Sequence, residues 1–270
     1  MSERREQFER DGFLVLPEFV SAEACAGLRR AIEGLLAEAD LEALSTVFDT
    51  DGQGHDEDDY FLDSGAEVRF FLEPERDGGA KRVNKIGHGM HDRIPEFDRF
   101  SRSPALASLV RELGVAEPLL LQSMVIFKPP RVGADVPPHQ DATFLYTEPV
   151  SVIGFWFALE DASVDNGCLR VLPGAHRPPL GGLRQRHHRR GRETWTETLD
   201  ERPWPEAGWL PLEVSAGTLV VFDGLMPHRS SANRSERSRW AYTIHTIDGA
   251  AHYAEDNWLQ RPADAPLRGF

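Results

Sequence analysis

The segment Pro137-Pro138-His139-Gln140-Asp141 sets an imidazole and a carboxylate two residues apart. On an extended chain residues i and i+2 project to the same face, so His139 and Asp141 can grip one ion. Farther along, Phe222-Asp223-Gly224-Leu225-Met226-Pro227-His228 brings another histidine just after the apolar run TLVVFD. The separation leaves room for several strands to fold His228 back onto the first pair. Two histidines and one carboxylate make the facial triad of a non-haem iron(II) site, with open positions for a bidentate co-substrate and dioxygen. An H-x-D tripeptide alone arises by chance in many chains. Arg239 adds the decisive element, eleven residues beyond His228. A guanidinium fork binds a carboxylate through two hydrogen bonds. Arg239 can therefore hold the far carboxylate of 2-oxoglutarate while the oxo-acid end chelates iron. Ser230, two residues past His228, can donate to that same carboxylate.

These residues need strands to carry them. From about residue 118 the runs LLLQSMVIFK, VSVIGFWFALE, CLRVL, GTLVVFD and RWAYTIHTI are rich in β-branched and aromatic residues, with Gly, Pro, Asp and Asn between them. Upstream the pattern is mainly helical. Ser2 caps a short helix that stops at Gly12, and Phe13–Leu16 reads as a short strand. Ser21 caps a second helix with Cys25, Leu28, Ile32, Leu35 and Leu36 on one face. Ser103 and Pro104 open a third, which turns Leu106, Leu109, Val110 and Leu113 inward and closes at Gly114. Helices followed by strands suggest a β-sandwich, jelly roll or barrel with a helical flank. The expected organisation is one domain over 1–270, with the flank at about 1–117 and the core at about 118–250.

Composition narrows the function classes. With 30 Lys+Arg against 44 Asp+Glu, the 270 residues carry a formal charge of −14, which argues against a general nucleic-acid binder. Hydrophobic content of 40% and charged content of 27% are globular values. Two cysteines, Cys25 and Cys168, make neither a disulfide framework nor a zinc cluster. The start MSERREQFERDG has no apolar stretch of the secretory kind, and no apolar run has membrane-spanning length. A soluble cytoplasmic protein without membrane or nucleic-acid partners is the expectation, with a monomer marginally preferred.

Two stretches read as loops. Residues 49–59, DTDGQGHDEDD, imitate a calcium loop but put Tyr60 where a bidentate Glu belongs, so a solvated acidic loop is the better reading. The stretch from about 175 to 208 contains RQRHHRRGR, a basic island. An exposed insertion is the plain reading and a lid recruiting an anionic substrate the sharper one. The remaining histidines read as follows: His88 and His91 structural or pocket-lining, His176 structural, His187 and His188 solvent-facing. His245 shares a strand face with Arg239 and lines the site without being a ligand.

The chain resembles the phytanoyl-CoA dioxygenase family of Fe(II)/2-oxoglutarate oxygenases. The likeness runs from about Asp11 to Gln260 through DGFLVL, DYFLDSG, VRFF, NKIGH, QSMVIFK, PPHQDATFLYTEP, EDASVDNGCL, LPGAH, SRWAYTIH and DNWLQ. It is nearest the subgroup of domain-containing proteins, and the 175–208 stretch is the least similar part. The resemblance implies a mainly β fold with flanking helices, a double-stranded β-helix (jelly-roll, cupin-like) core. It implies iron held by His139, Asp141 and His228, the catalytic centre. It implies 2-oxoglutarate contacts from Lys85, Met124, Trp156, Ser230 and Arg239. Lys85 is one of only three lysines, with Lys81 and Lys128. Met124 alternates with Gln122 and Ile126, so these three share a strand face.

The activity so implied hydroxylates an unactivated C–H of an unidentified small-molecule substrate with O2, releasing succinate and CO2, and ascorbate can support it. In relatives that halogenate, a small residue replaces the carboxylate, so Asp141 points to hydroxylation or a related C–H oxidation. A non-catalytic metal-binding or 2-oxoglutarate-binding jelly roll is the alternative. A CoA thioester would need cations for its phosphates, which the arginines of 184–192 could supply.

Overall fold

The structure is a computed structural model that describes residues 2–47, 59–74 and 80–270. The acidic loop expected at 49–59 thus lies, Asp59 apart, outside the described residues.

Helix α1 (Glu3–Asp11) starts where the Ser2 side chain accepts from Arg5 N, and it ends at Gly12, whose φ is 80°. A Cβ at Gly12 would also sit 2.4 Å from His176 Nδ1, so both backbone and space call for glycine there. Helix α2 (Ala22–Glu38) is capped by Ser21 and buries Cys25, Leu28 and Ile32. The short α3 (Asp59–Leu62), α4 (Met90–Arg93) and α5 (Pro95–Ser101) precede α6 (Pro104–Glu112). Ser103 occupies the N-cap position of α6 but makes no side-chain capping bond, and Pro104 at the first turn sets the entry instead.

The strands are β1 (Phe13–Leu16), β2 (Val68–Leu72), β3 (Val83–His88), β4 (Pro118–Lys128), β5 (Val136–His139), β6 (Thr147–Glu148), β7 (Ile153–Ala158) and β8 (Leu169–Val171). They continue as β9 (Gln185–Arg190), β10 (Glu193–Thr198), β11 (Leu210–Leu212), β12 (Leu219–Asp223), β13 (His228–Ser230), β14 (Arg239–Asp248), β15 (His252–Tyr253) and β16 (Arg268–Gly269). The major sheet runs β1-β12-β7-β14-β4-β3-β2, with β16 also paired to β4. The minor sheet runs β11-β8-β13-β5.

Alternation along each strand divides the core in two. Phe155, Phe157, Val221, Tyr242 and Ile244 point to one side of the major sheet and pack with Leu28, Ile32, Phe97, Leu106 and Leu109 of the helices. Trp156, Ala158, Val220, Phe222 and Ala241 point to the other side and meet Leu169, Val171 and Leu212 of the minor sheet. The space between the sheets is therefore the jelly-roll interior.

The flank differs from the expected, mainly helical one. β2 and β3 fall within 1–117 and extend the major sheet beyond β4. All six residues of β3 are buried, including the polar Asn84, Lys85 and His88. Buried polar side chains erase the apolar–polar alternation by which a strand is read from sequence. No described helix is long and apolar enough to cross a membrane.

Candidate active site

β5 and β13 are antiparallel neighbours in the minor sheet, with His139 directly opposite His228. Their ring centroids lie 4.2 Å apart. Asp141 follows β5 after one residue, and Ala142 N donates to Gly224 O at 2.9 Å, which ties this turn to the loop before His228. Asp141 Oδ1 lies 3.9 Å from His139 Nε2 and 3.7 Å from His228 Nε2. One ligand atom from each of the three residues falls within 4.8 Å of the others, spacing that a single ion can bridge.

The outer hydrogen bonds set the tautomers. His139 Nδ1 lies 2.9 Å from Pro137 O, and His228 Nδ1 lies 3.1 Å from Met226 O. A carbonyl only accepts, so each Nδ1 carries the proton and each Nε2 keeps a lone pair facing Asp141. Burial, reinforced by the His139 ring, lowers the His228 pKa to about 4 despite Asp141, so this imidazole is neutral at neutral pH. Burial alone would push the Asp141 carboxyl up. The His245 ring, whose Nε2 lies 3.0 Å from Oδ2, opposes that and holds it below the usual carboxylate range. A neutral His228 imidazole and an ionised Asp141 carboxylate are donor states that a divalent metal requires.

Arg239 begins β14 and is only 2% exposed. Its guanidinium carbon lies 5.5 Å from the Trp156 ring centroid. Among the described residues no carboxylate forms an ion pair with it, and its Nε has no hydrogen-bond partner. Burial lowers its pKa to about 10, still well above neutrality, so it stays charged. A buried, charged and uncompensated guanidinium fits an anionic ligand. Arg239, Ala241, Thr243 and His245 share the inward face of β14. Met124 lies opposite Thr243 on β4, and Trp156 lies opposite Thr243 on β7. Lys85 on β3 pairs with Ile126 and sits against the rings of Phe71 and Phe61, at 4.9 and 5.3 Å. Ser230, also buried, ends β13 opposite Leu169 and Val136. The residues proposed for 2-oxoglutarate thus lie on strands of both sheets that face the interior.

His245, expected to line the site, does so, and Gln122, Gln140 and Lys128 join it as neighbours that the sequence reading gave no role. His245 Nε2 lies 3.0 Å from Asp141 Oδ2, and Gln122 Nε2 lies 3.1 Å from His245 Nδ1. Gln140, between two triad residues, donates to Leu225 O and Gly182 O at 2.7 and 3.0 Å and accepts from Arg184 N at 3.0 Å. It joins the H-x-D turn, the loop before His228 and the root of the basic stretch. Lys128, opposite Arg239, donates to Ala134 O and Ser231 O at 2.5 and 2.7 Å, and burial lowers its pKa to about 7. The strand faces of His245 and Gln122 were visible in advance, through the alternation from Arg239 and Met124, but their hydrogen bonds were not.

The basic stretch is neither a bare loop nor a free cationic lid. β9 and β10 form a hairpin, and His187 and His188 are buried, which corrects the solvent-facing reading. His188 stacks on Trp195 at 5.0 Å and lies 2.8 Å from Asp256 Oδ2. His187 lies beside Phe144, with ring centroids 5.6 Å apart. Every arginine of 184–192 has a carboxylate. Arg184 pairs with Asp200, Arg186 with Asp256, Arg189 with Asp63, Arg190 with Glu193 and Arg192 with Asp59. Asp59, Asp63 and Asp256 come from outside the 175–208 stretch, so a count of local charge could not reveal those three pairings. His88 and His91 hydrogen-bond the hydroxyls of Ser64 and Ser123, each at 2.7 Å.

The family model described as phytanoyl-CoA dioxygenase (PhyH) matches residues 8–241. The phytanoyl-CoA dioxygenase domain-containing protein 1 of Mus musculus is 39% identical over 279 residues, covering 97% of this chain and 95% of that protein. Among solved structures, EctD from S. alaskensis with bound Fe superposes with a TM-score of 0.68 at 23% identity, over 97% of this chain and 82% of that one. EvdO2 from Micromonospora carbonacea var. aurantiaca complexed with 2-oxoglutarate superposes with a TM-score of 0.61 at 21% identity, over 97% and 98%.

Proposed function

The chain belongs to the phytanoyl-CoA dioxygenase family, and from that premise we propose that it is an iron(II)- and 2-oxoglutarate-dependent hydroxylase of a small molecule. One oxygen atom of dioxygen enters an unactivated C–H bond of the substrate, the other enters succinate, and carbon dioxide leaves. The observation that carries this reading is a composite of two features. Three metal-competent donors converge within 4.8 Å at the edge of the minor sheet, and on the inward face of the major sheet lies the buried Arg239, unpaired among the described residues. Two fold neighbours, one with bound Fe and one complexed with 2-oxoglutarate, support the choice of metal and co-substrate.

In this reading His139, Asp141 and His228 hold the metal, and a single domain supplies the whole site. Bound iron and 2-oxoglutarate supply the oxygen chemistry, which side chains alone lack. The chain's own residues do the rest. Arg239 pairs with the far carboxylate of 2-oxoglutarate and fixes its direction, with Ser230 as a second donor and Trp156 as a wall. Lys85 and Met124 complete the inward surface on β3 and β4. The apolar ring of Trp156, Phe222 and Val171 keeps water from that interior. The His187–Phe144 pair stands beside the His139 edge, since Phe144 lies 6.3 Å from the His139 ring, and there it bounds the approach of a substrate. Arg184, Arg186 and Arg189 are largely buried against Asp200, Asp256 and Asp63, which leaves the exposed Arg190 and Arg192 of that stretch to meet the phosphates of a CoA thioester.

Succinate formation tests the proposal. With Fe(II), ascorbate and 2-oxoglutarate, slow uncoupled succinate release is expected from the wild type and none from Asp141→Ala. Tight 2-oxoglutarate binding without succinate, whatever candidate substrate is supplied, would favour the non-catalytic reading.

A further inference from the structure

The two oxygens of Asp141 have different surroundings. Oδ1 faces His139 and His228, whereas Oδ2 faces His245 Nε2 at 3.0 Å. His245 lies directly opposite Gln122 on β4 and Gly154 on β7. The β14–β4 register shifts just after His245, where Thr246 pairs with Leu120. Such a bulge changes the direction of the side chains beside it. A Cβ at Gly154 would come within 2.8 Å of Asp141 Oδ2 and 2.4 Å of the Phe222 ring. Three strands of the major sheet thus converge on one carboxylate oxygen that belongs to a turn of the other sheet's edge.

We propose that His245 is a positioning residue: backed by Gln122 and given room by Gly154, it holds Asp141 Oδ2 and thereby presents Oδ1 alone to the metal. The inference rests on the triad reading above. A carboxylate oxygen that serves a metal is an acceptor, so the 3.0 Å contact to Oδ2 requires a proton on His245 Nε2. Gln122 is consistent with this whichever way its amide is turned. Its N–H₂ can donate to a bare Nδ1, or its oxygen can accept from a protonated one. In both cases Nε2 has no lone pair free, which explains why His245, so close to Asp141, does not act as a fourth ligand. Hydrogen-bonded outer partners of this kind orient a ligand and raise metal affinity.

Two measurements test the proposal. In protein labelled with [¹⁵N]histidine, metal-free and Zn(II)-loaded, the His245 ring should show a proton on Nε2 in both states. A His245 ring protonated on Nδ1 alone would overturn the proposal, and this readout needs no variant to fold. Second, Co(II) titration of His245→Ala should give a dissociation constant roughly 10- to 100-fold above wild type. His245→Gln, which keeps a donor at the end of the side chain, should recover most of that loss. Wild-type Co(II) affinity in a cooperatively melting His245→Ala would refute the role while leaving the triad intact. Failure of the wild type to bind Co(II) would instead overturn the triad reading itself.

Discussion

At the scale of single residues, the site depends on charge states set by burial. Arg239 is a guanidinium kept from water with no carboxylate of its own among the described residues, and such a group costs the fold on the order of several kcal/mol. Arg239→Met should therefore raise the melting temperature of the ligand-free protein while removing the further rise caused by 2-oxoglutarate. Differential scanning calorimetry with and without 2-oxoglutarate checks both halves, and an unchanged ligand response would remove Arg239 as the anchor. The convergence of His139, Asp141 and His228 and the inward placement of Arg239 were legible because chemistry restricts their types and the strands place them at readable intervals. His245 was legible only as a strand face, because its partner Asp141 is 104 positions away and a hydrogen bond across sheets leaves no local spacing signal. Gly154 was not singled out at all. The need for a missing Cβ comes from a carboxylate that arrives from a different part of the chain.

At the scale of elements, buried ion pairs fasten the helical flank to the rest. Asp92 on α4 receives Arg102 at 2.7 Å, Arg261 at 2.5 Å and Arg268 at 2.7 Å, so one carboxylate joins the end of α5 to the chain's last residues. Removing one partner of such a buried cluster leaves charges uncompensated, and Asp92→Ala should lower stability by about 3–5 kcal/mol in urea unfolding. The pH dependence has a definite sign. Burial would raise the Asp92 carboxyl, but His91 and the three arginines hold it well below its ordinary value. Its contribution is complete above the ordinary carboxylate pKa of 3.8 and is lost as the pH falls below that value. Wild type and Asp92→Ala should therefore converge in stability under acid, and a constant gap down to acid unfolding would contradict the assignment. The β9–β10 hairpin is fastened by the half-exposed Asp256, which pairs with Arg186 and hydrogen-bonds the His188 ring. Asp256→Ala should speed amide exchange in the hairpin while leaving exchange in β14 unchanged. Strongly apolar elements such as β4, β7, β12 and β14 could be read from their residues. The hairpin could not, because its strands carry QRHHRR and ETWTET and are held by charge pairing instead of apolar alternation.

At the scale of the whole molecule, an acidic chain of net charge −14 turns Lys85, Lys128 and Arg239 toward its interior. Of these, Arg239 stays charged and has no carboxylate partner among the described residues, so in the proposed function it attracts the dianionic co-substrate. Because binding is coupled to folding, 2-oxoglutarate at 100 times its dissociation constant should add about 2.7 kcal/mol to unfolding stability when metal is present. The fold class was open to the sequence because helices precede strands along the chain. The extent of the major sheet was not, because β2 and β3 join it from within the helical flank.

The proposed function requires that one metal ion held by His139, Asp141 and His228 share 2-oxoglutarate with Arg239. Anaerobic titration of 2-oxoglutarate into the Fe(II)-loaded protein, followed by the visible metal-to-ligand charge-transfer band, tests it most directly. The band should grow in the wild type and be absent in Asp141→Ala. Arg239→Ala should require roughly 10- to 150-fold more 2-oxoglutarate, the loss expected for a charge-assisted hydrogen bond of about 1.5–3 kcal/mol. A wild type that shows no band, or an Arg239→Ala that titrates like the wild type, would contradict the account.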